Sequence, residues 1–209
     1  MTQAQRDPQD DAPGMTATHD FPTLRTSRLL LREIVAADAP ALLEIHGDAD
    51  AMKWFGRDPI TRLDEAEDMV EQFASLRTPP EMATGVRWGI ELRAPGHDPA
   101  LRGRLVGSCG LFRWLRGWQS CLVGYELARA AQGHGLMREA LLAALQWGFE
   151  HMLLERVEAM VHVDNTPSLR TLGALGFVDE GVAREAGYWL GRRHDMVRLG
   201  LLRREFTAA

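Results

Sequence analysis

Two glycines, Gly133 and Gly135, lie in a short polar loop between a strand-like run that ends at Leu127 and a helical pattern that begins near Leu136. Glycines at a helix start let the backbone approach a bound group, and the first helical N–H groups there have no partner within the helix. Because the helix dipole is positive at this end, the loop suits a phosphate or pyrophosphate. A glycine turn without a ligand is the alternative. Arg138 stands where a third glycine would complete a dinucleotide fingerprint, and no Gly-Lys-Ser/Thr follows, so those two nucleotide sites are disfavoured.

A second polar turn, residues 165–168, follows another apolar run, residues 157–163, and precedes a short helical pattern. Pro167 suits the first turn of a helix, where its missing N–H leaves nothing unsatisfied. The order of strand, polar turn and helix therefore occurs twice in the second half of the chain.

This pair of turns, with Leu-Gly-Phe at residues 175–177 after the second, resembles the GNAT acetyltransferases. More narrowly, it is similar to the branch that acetylates the N-terminal serine or alanine of ribosomal proteins. The resemblance runs from Phe21 to Phe206. Further matching pieces are residues 26–32, Asp38-Ala39, Glu180-Gly181, Gly191 and Asp195.

The resemblance implies acetyl-CoA as the acetyl donor and no metal. Backbone N–H groups of the glycine loop would hold the pyrophosphate, and those around Leu127 would face the thioester carbonyl. Asn165 would reach the pantetheine arm or the neighbouring strand, and capping of the helix that follows it is the alternative. The chain departs from the family at Ala130, where Gln or Arg often opens the motif, and Gln132 is a partial substitute. The cofactor-binding residues expected on this basis are Leu127, Gln132, Gly133, His134, Gly135, Leu136, Met137, Arg138, Asn165 and Ser168.

Amine acetylation needs a neutral amine, stabilisation of an oxyanion and departure of a thiolate. By resemblance, Ser168 is the hydroxyl that hydrogen-bonds or protonates the leaving thiolate; a first-turn helix residue that bonds locally is the alternative. Glu126 is the first candidate for the general base, directly or through water. A salt bridge with Arg129 or Arg138 is its alternative role, and Glu185 is the second candidate for the base.

Trp54 and Phe55 follow the first predicted helix, where the family places its acceptor-binding wall. An apolar wall there suits an N-terminal peptide or an aromatic amine, whereas ordinary core packing is the alternative reading. Trp88 is expected in the core. Arg113, Arg116 and Trp118 are expected at a solvated hairpin tip.

The composition is that of an ordinary globular domain, with 45% hydrophobic and 25% charged residues among 209. A formal net charge of −5 argues against nucleic acid as a partner. Cys109 and Cys121 lie in apolar runs without metal-ligand spacing, so we expect buried thiols in a reducing compartment. With no membrane-length apolar run and no secretory signal pattern, a cytoplasmic location is expected. Residues 1–20 are predicted to be a flexible tail, and residues 21–209 a single GNAT-like domain.

The hydrophobic pattern predicts a mixed α/β fold, with a mostly antiparallel central sheet flanked by helices. Helices are expected from Ala39 to His46 with Asp38 as cap, from Asp64 to before Pro79, and from Leu136 to His151. Strands are expected over residues 24–35, 86–92, 105–112, 121–127, 157–163, 176–182 and 188–202, with a loop at 94–103.

The function expected is therefore acetyl transfer from acetyl-CoA to a primary amine by direct attack on the thioester. The acceptor is either a small molecule or a protein N-terminus, and the sequence leaves a homodimer open. A catalytically silent acyl-CoA-binding sensor or interaction module is the alternative function.

Overall fold

The computed structural model describes residues 21–77, 82–93 and 99–207, so the predicted N-terminal tail lies outside the described residues. Eight strands form one sheet in the spatial order β1-β2-β3-β4-β5-β6-β8-β7. The strands are β1 (Leu24–Arg25), β2 (Leu29–Arg32), β3 (Gly85–Leu92), β4 (Leu105–Leu115), β5 (Ser120–Leu127), β6 (Arg156–His162), β7 (Val178–Trp189) and β8 (Arg192–Leu202). The helices are α1 (Ala39–Gly47), α2 (Ala49–Met52), α3 (Leu63–Ser75), α4 (Leu136–His151) and α5 (Thr166–Gly173).

The sheet is antiparallel throughout except where β5 meets β6. These two strands pair in parallel only over Ser120 to Leu122 and Arg156 to Glu158. Beyond Leu122, β5 keeps its pairing with β4 alone, while β6 is paired with β8 alone. The prediction of a mixed, mostly antiparallel sheet flanked by helices is confirmed, and the separation of β5 from β6 opens a cleft within it.

The main core lies between the sheet and α4, whose predicted bounds are those of the structure. Leu141 and Leu145 of α4 are fully buried, as are Trp88 of β3 and Leu111 of β4. Burial of each such side chain contributes about 1.5–3 kcal/mol. Trp88 also donates its indole N–H to the Pro22 carbonyl at 2.6 Å, so its predicted place in the core is confirmed.

The single first strand predicted over residues 24–35 is wrong. The chain instead turns between β1 and β2, which pair with each other. Glu139 of α4 explains the turn, since its carboxylate accepts hydrogen bonds from the Thr26 hydroxyl, the Ser27 hydroxyl and the backbone N–H of Arg28. The Arg28 guanidinium also contacts Glu139, at 2.6 Å. A charge from a distant helix therefore fixes this turn and, with it, the start of α4.

Asp38 is the N-cap residue of α1 as predicted, but its side chain makes no capping hydrogen bond to that helix. Its carboxylate accepts from the Val35 backbone N–H and from the Arg32 guanidinium instead. Helix α3 begins at Leu63 and ends at Ser75. The expected boundary at Pro79-Pro80 lies outside the described residues, as does most of the predicted loop at 94–103.

The last two strands differ from the prediction in length and continuity. β7 runs from Val178 to Trp189, with register shifts between Asp179 and Val182 and between Ala183 and Gly187. Residues 183–187, expected to separate two strands, are therefore an irregular part of one edge strand. The single strand predicted over residues 188–202 is wrong, because the turn between β7 and β8 divides it after Trp189. In the hairpin that joins β4 to β5, Trp118 is 80% exposed, as predicted. Among the described residues, no helix is long and apolar enough to cross a membrane.

Candidate active site

The separation of β5 from β6 forms a cleft with a volume of about 960 Å³. Ala128 donates its N–H to the Val106 carbonyl of β4 at 2.8 Å. Because successive N–H groups of an extended strand point to opposite sides, the N–H of Leu127 points away from β4. On that side the Leu127 carbonyl already accepts from the Gln132 side chain at 3.0 Å. Leu127 thus offers a backbone donor toward the cleft, and Gln132 orders the chain around it.

The glycine loop forms one wall of this cleft. Gly133 and Gly135 have φ values of 83° and 73°, and Gly135 is the residue that caps α4. A Cβ added at Gly133 would meet nothing within 4 Å, so a group can approach this backbone closely. Leu136, Met137 and Arg138 supply the first turn of α4 beside it. The loop therefore fits a pyrophosphate through backbone N–H groups.

Two other residues of the loop have contacts that the sequence did not predict. The His134 carbonyl accepts from the Arg28 guanidinium at 2.9 Å, which ties the loop to the β1–β2 turn. Arg129 pairs with Asp48 at 2.7 Å and Asp50 at 2.9 Å. Arg129 is therefore paired with the N-terminal end of α2, and not with Glu126 as one interpretation held.

The second polar turn forms the opposite wall. Asn165 accepts the backbone N–H of Ser168 at 3.2 Å and so caps α5, the alternative role considered for it. The Ser168 hydroxyl lies 2.6 Å from the hydroxyl of Tyr125, a residue of β5. Burial raises the pKa of Tyr125 to about 12, so its phenol is protonated at neutral pH. Tyr125 is a site residue that sequence reasoning missed.

Glu126, the neighbour of Tyr125, points to the other face of β5 into a buried polar cluster. Its carboxylate accepts from the Arg87 guanidinium and the Ser108 hydroxyl. The His46 imidazole, which is fully buried, places Nε2 3.4 Å from Glu126 without hydrogen-bond geometry. We call Glu126, Arg87, Ser108 and His46 the buried glutamate cluster.

The balance of forces in this cluster keeps Glu126 ionised. Burial alone would raise its pKa, but Arg87, His46 and Ser108 together bring the pKa below its ordinary value. The predicted salt bridge thus exists with a different arginine, since Arg87 takes the place expected for Arg129 or Arg138. A carboxylate engaged in this way is poorly suited to take a proton from an amine directly.

Trp54 and Phe55 both line the cleft, beyond the end of α2. Trp54 stacks on His162 with ring centroids 4.3 Å apart, and Phe55 meets His46 edge-on at 5.1 Å. Both rings are only partly buried, so part of each faces the cleft. Glu185 lies elsewhere, in a separate cavity of about 340 Å³ with His162 and Asp195, and its backbone N–H donates to Asp195 at 2.7 Å.

Comparison with known proteins agrees with this architecture. A family model described as "Acetyltransferase (GNAT) domain" matches residues 28–178. An uncharacterised N-acetyltransferase of Bacillus subtilis, YoaA, is 30% identical over 84% of this chain and 93% of its own length. The ribosomal protein uS5-alanine N-acetyltransferase of Escherichia coli is 31% identical over 49% of this chain and 54% of that protein. The solved structure of Mycobacterium smegmatis RimJ in complex with CoA-disulfide superposes with a TM-score of 0.74 at 22% identity, covering 88% of each chain.

The family model covers well over half of the chain, and the match to YoaA spans 84% of this chain and 93% of YoaA. The chain belongs to the GNAT family, and it is an acyltransferase that uses acetyl-CoA.

Proposed function

We propose that this protein transfers the acetyl group of acetyl-CoA to a primary amine, which attacks the thioester directly. One observation carries the proposal: the glycine loop at the start of α4 and Ser168 line the same cleft. The first supports binding of the donor, and the second supports departure of its thiolate.

Each residue then has a defined task. The backbone of Gly133 to Arg138 holds the pyrophosphate. The Leu127 N–H donates to the thioester oxygen as negative charge develops on it. Ser168 donates a hydrogen bond to the departing sulfur. Holding donor and acceptor in one cleft supplies much of the remaining rate, because it replaces a bimolecular encounter by an oriented one.

The amine must be neutral when it attacks, so a proton has to leave it. Because Glu126 accepts from both Arg87 and Ser108, we propose that water takes this proton, with Glu126 fixing β5 beside it. Direct action of Glu126 is the competing assignment. Glu185 has less support, since it does not line the main cleft.

The acceptor is proposed to bind against Trp54 and Phe55. Their partly exposed rings suit an aliphatic or aromatic group next to the amine, in either a small molecule or a peptide N-terminus. A cytoplasmic location belongs to the same proposal and rests on the unpaired, buried Cys109 and Cys121.

Donor binding is tested by isothermal calorimetry with CoA on Gly135→Val. Valine at this positive φ strains the loop and places side-chain atoms where the pyrophosphate approaches. Gly103→Val is the matched control, because Gly103 has a φ of 75° and open space around it but lies outside the cleft. We expect CoA affinity to fall at least about tenfold in the first variant only. Equal affinity in both folded variants would refute the assigned pyrophosphate site.

Turnover is tested by CoA release with a panel of amines and peptides, with the intact mass of each product. A gain of one acetyl group on an amine supports the enzyme. CoA binding without turnover on any amine or peptide would favour the acyl-CoA sensor instead. The engagement of the Glu126 carboxylate by Arg87 and Ser108 is consistent with that alternative.

A further inference from the structure

Tyr125 and Ser168 form a hydroxyl pair that joins the two sides of the cleft. Tyr125 belongs to β5 and Ser168 to α5, and their oxygens lie 2.6 Å apart. The Asn165 carboxamide accepts the backbone N–H of Ser168 and fixes the start of α5. Tyr125 is therefore the contact that sets the orientation of the Ser168 hydroxyl.

A hydroxyl pair has two protons but needs only one for its mutual bond. If Tyr125 donates to Ser168, the serine proton is left free to point into the cleft. A partly buried phenol is a good donor to an aliphatic hydroxyl, because it is the more acidic of the two. The Tyr125 hydroxyl is 3.5 Å from the Ser168 carbonyl, too far to compete effectively with the bond at 2.6 Å.

We propose that Tyr125 is a positioning residue which donates to Ser168, so that the serine proton is directed at the departing sulfur of CoA. This inference rests on the proposed function. During transfer, the amine nitrogen forms its bond to the acetyl carbon. The carbon–sulfur bond then breaks with both electrons going to sulfur, and the amine proton passes to water.

The hydroxyl pair stabilises the thiolate as a hydrogen-bond donor and keeps its own protons. A thiol has an ordinary pKa of about 8.5, whereas the phenol of Tyr125 has a pKa of about 12. Complete proton transfer from the pair to the thiolate is therefore uphill. A hydrogen bond to a charged acceptor is stronger than one to a neutral acceptor, so the pair acts most strongly once the sulfur carries charge.

The direct test measures the ionisation of CoA bound to the protein, by titration of its thiolate absorbance in the ultraviolet. We expect the pKa of the bound thiol to lie below that of free CoA in the native protein. Tyr125→Phe and Ser168→Ala should each lower the ionisation constant of the bound thiol about tenfold, since Ser168→Ala removes the donor and Tyr125→Phe removes the contact that directs it at the sulfur. Tyr188→Phe is the matched control, because Tyr188 is the only other tyrosine and is 66% exposed.

Kinetics supply the second readout. Tyr125→Phe should lower kcat about tenfold with little change in the KM of either substrate. The double variant with Ser168→Ala should be no slower than Ser168→Ala alone, because the tyrosine acts through the serine. Native-like thiol ionisation in Tyr125→Phe, or independent losses that multiply in the double variant, would overturn the inference.

If Tyr125→Phe fails to fold, fluorotyrosine in the Tyr188→Phe background changes Tyr125 alone. Its more acidic phenol should strengthen donation to Ser168 and lower the pKa of bound CoA further, and an unchanged or higher pKa would contradict the proposal. The proposed function fails separately. Absence of CoA binding by the native protein would overturn both the proposed function and this inference. Normal acetylation by the native protein, together with native kcat and native thiol ionisation in Tyr125→Phe, would overturn this inference alone.

Discussion

Replacing Glu126 by glutamine tests whether the buried glutamate cluster is structural. The Glu126 side chain is 7% exposed and that of Arg87 is 8% exposed, so the variant leaves a buried guanidinium without its counter-charge. Removing one partner of such a pair costs about 3–5 kcal/mol. For a chain of this size each kcal/mol shifts Tm by about 2–4 °C, so Tm should fall by roughly 6–20 °C.

The pH dependence of this loss has a definite sign. The pKa of Glu126 is lowered in the folded protein from its ordinary value of 4.5. Its contribution to stability is therefore present above about pH 4.5 and is lost as the pH falls through the folded-state pKa. Native protein and Glu126→Gln should differ most near neutrality and converge under acidic conditions.

The assay is thermal unfolding followed by circular dichroism, from neutral pH to below about pH 4.5, with Glu44→Gln as control. Glu44 also pairs with an arginine, Arg104 at 2.9 Å, but its side chain is 68% exposed, so its loss should cost less than about 1 kcal/mol. An unchanged Tm for Glu126→Gln, or a difference that does not narrow in acid, would refute the reasoning. A general base has a different signature, because its removal costs about 10²–10⁴ in kcat/KM at temperatures where the variant is folded.

Two further predictions concern Trp54 and the histidine on which it stacks, His162. Trp54→Ala should raise the KM for the amine about five- to thirty-fold, as expected for loss of about 1–2 kcal/mol of aromatic contact, without changing CoA affinity. The same change at exposed Trp118 is the control. The Nδ1 atom of His162 accepts the backbone N–H of Asp164, so the ring proton of neutral His162 lies on Nε2, toward His194. Burial lowers the pKa of His162, and the nearby charges of His194 and Arg192 lower it further. Asp164 and Asp195 oppose this shift only in part. As the pH falls, the unfolded chain binds a proton at His162 before the folded protein does, so Tm should fall between about pH 7 and about pH 5. The fall should be smaller in His162→Phe. Equal slopes of Tm against pH for the two proteins, measured by differential scanning fluorimetry, would contradict this prediction.

The part of the fold that could be predicted depends on local periodicity. Helix α4 has a long apolar repeat between a glycine loop and a clear end, and its bounds agree with the prediction. The β1–β2 turn could not be predicted, because Glu139, far along the chain, decides it through three hydrogen bonds. β7 was divided in the prediction because its irregular positions look like breaks in a sequence, whereas pairing with β8 carries the strand across them.

The same distinction between local patterns and long-range contacts applies to the candidate site. Its backbone parts, the glycine loop and the Asn165 turn, were predicted because glycine and a polar N-terminal turn have local signatures. The partners of Glu126 were not, since they depend on strand register. Ser108 lies directly opposite Glu126 in the β4–β5 ladder, and Arg87 comes from the next strand. Tyr125 was missed because an alternating strand gives no sign of which hydroxyl its ring will reach across a cleft.

Strand β5 links these groups physically. Successive side chains of a strand point to opposite faces, so Tyr125 turns to Ser168 while Glu126 turns to Arg87. The next residue, Leu127, presents its N–H along the edge between them. Anchoring three consecutive residues in three directions leaves this segment little freedom to rotate or slide. Under the proposed function, the buried ion pair would act on catalysis through geometry, because any movement that it permits would displace both the proposed oxyanion donor, the Leu127 N–H, and the hydroxyl pair. On this argument Glu126→Gln should lower kcat even if Glu126 never accepts a proton, and the loss should depend less on pH than that of a true base.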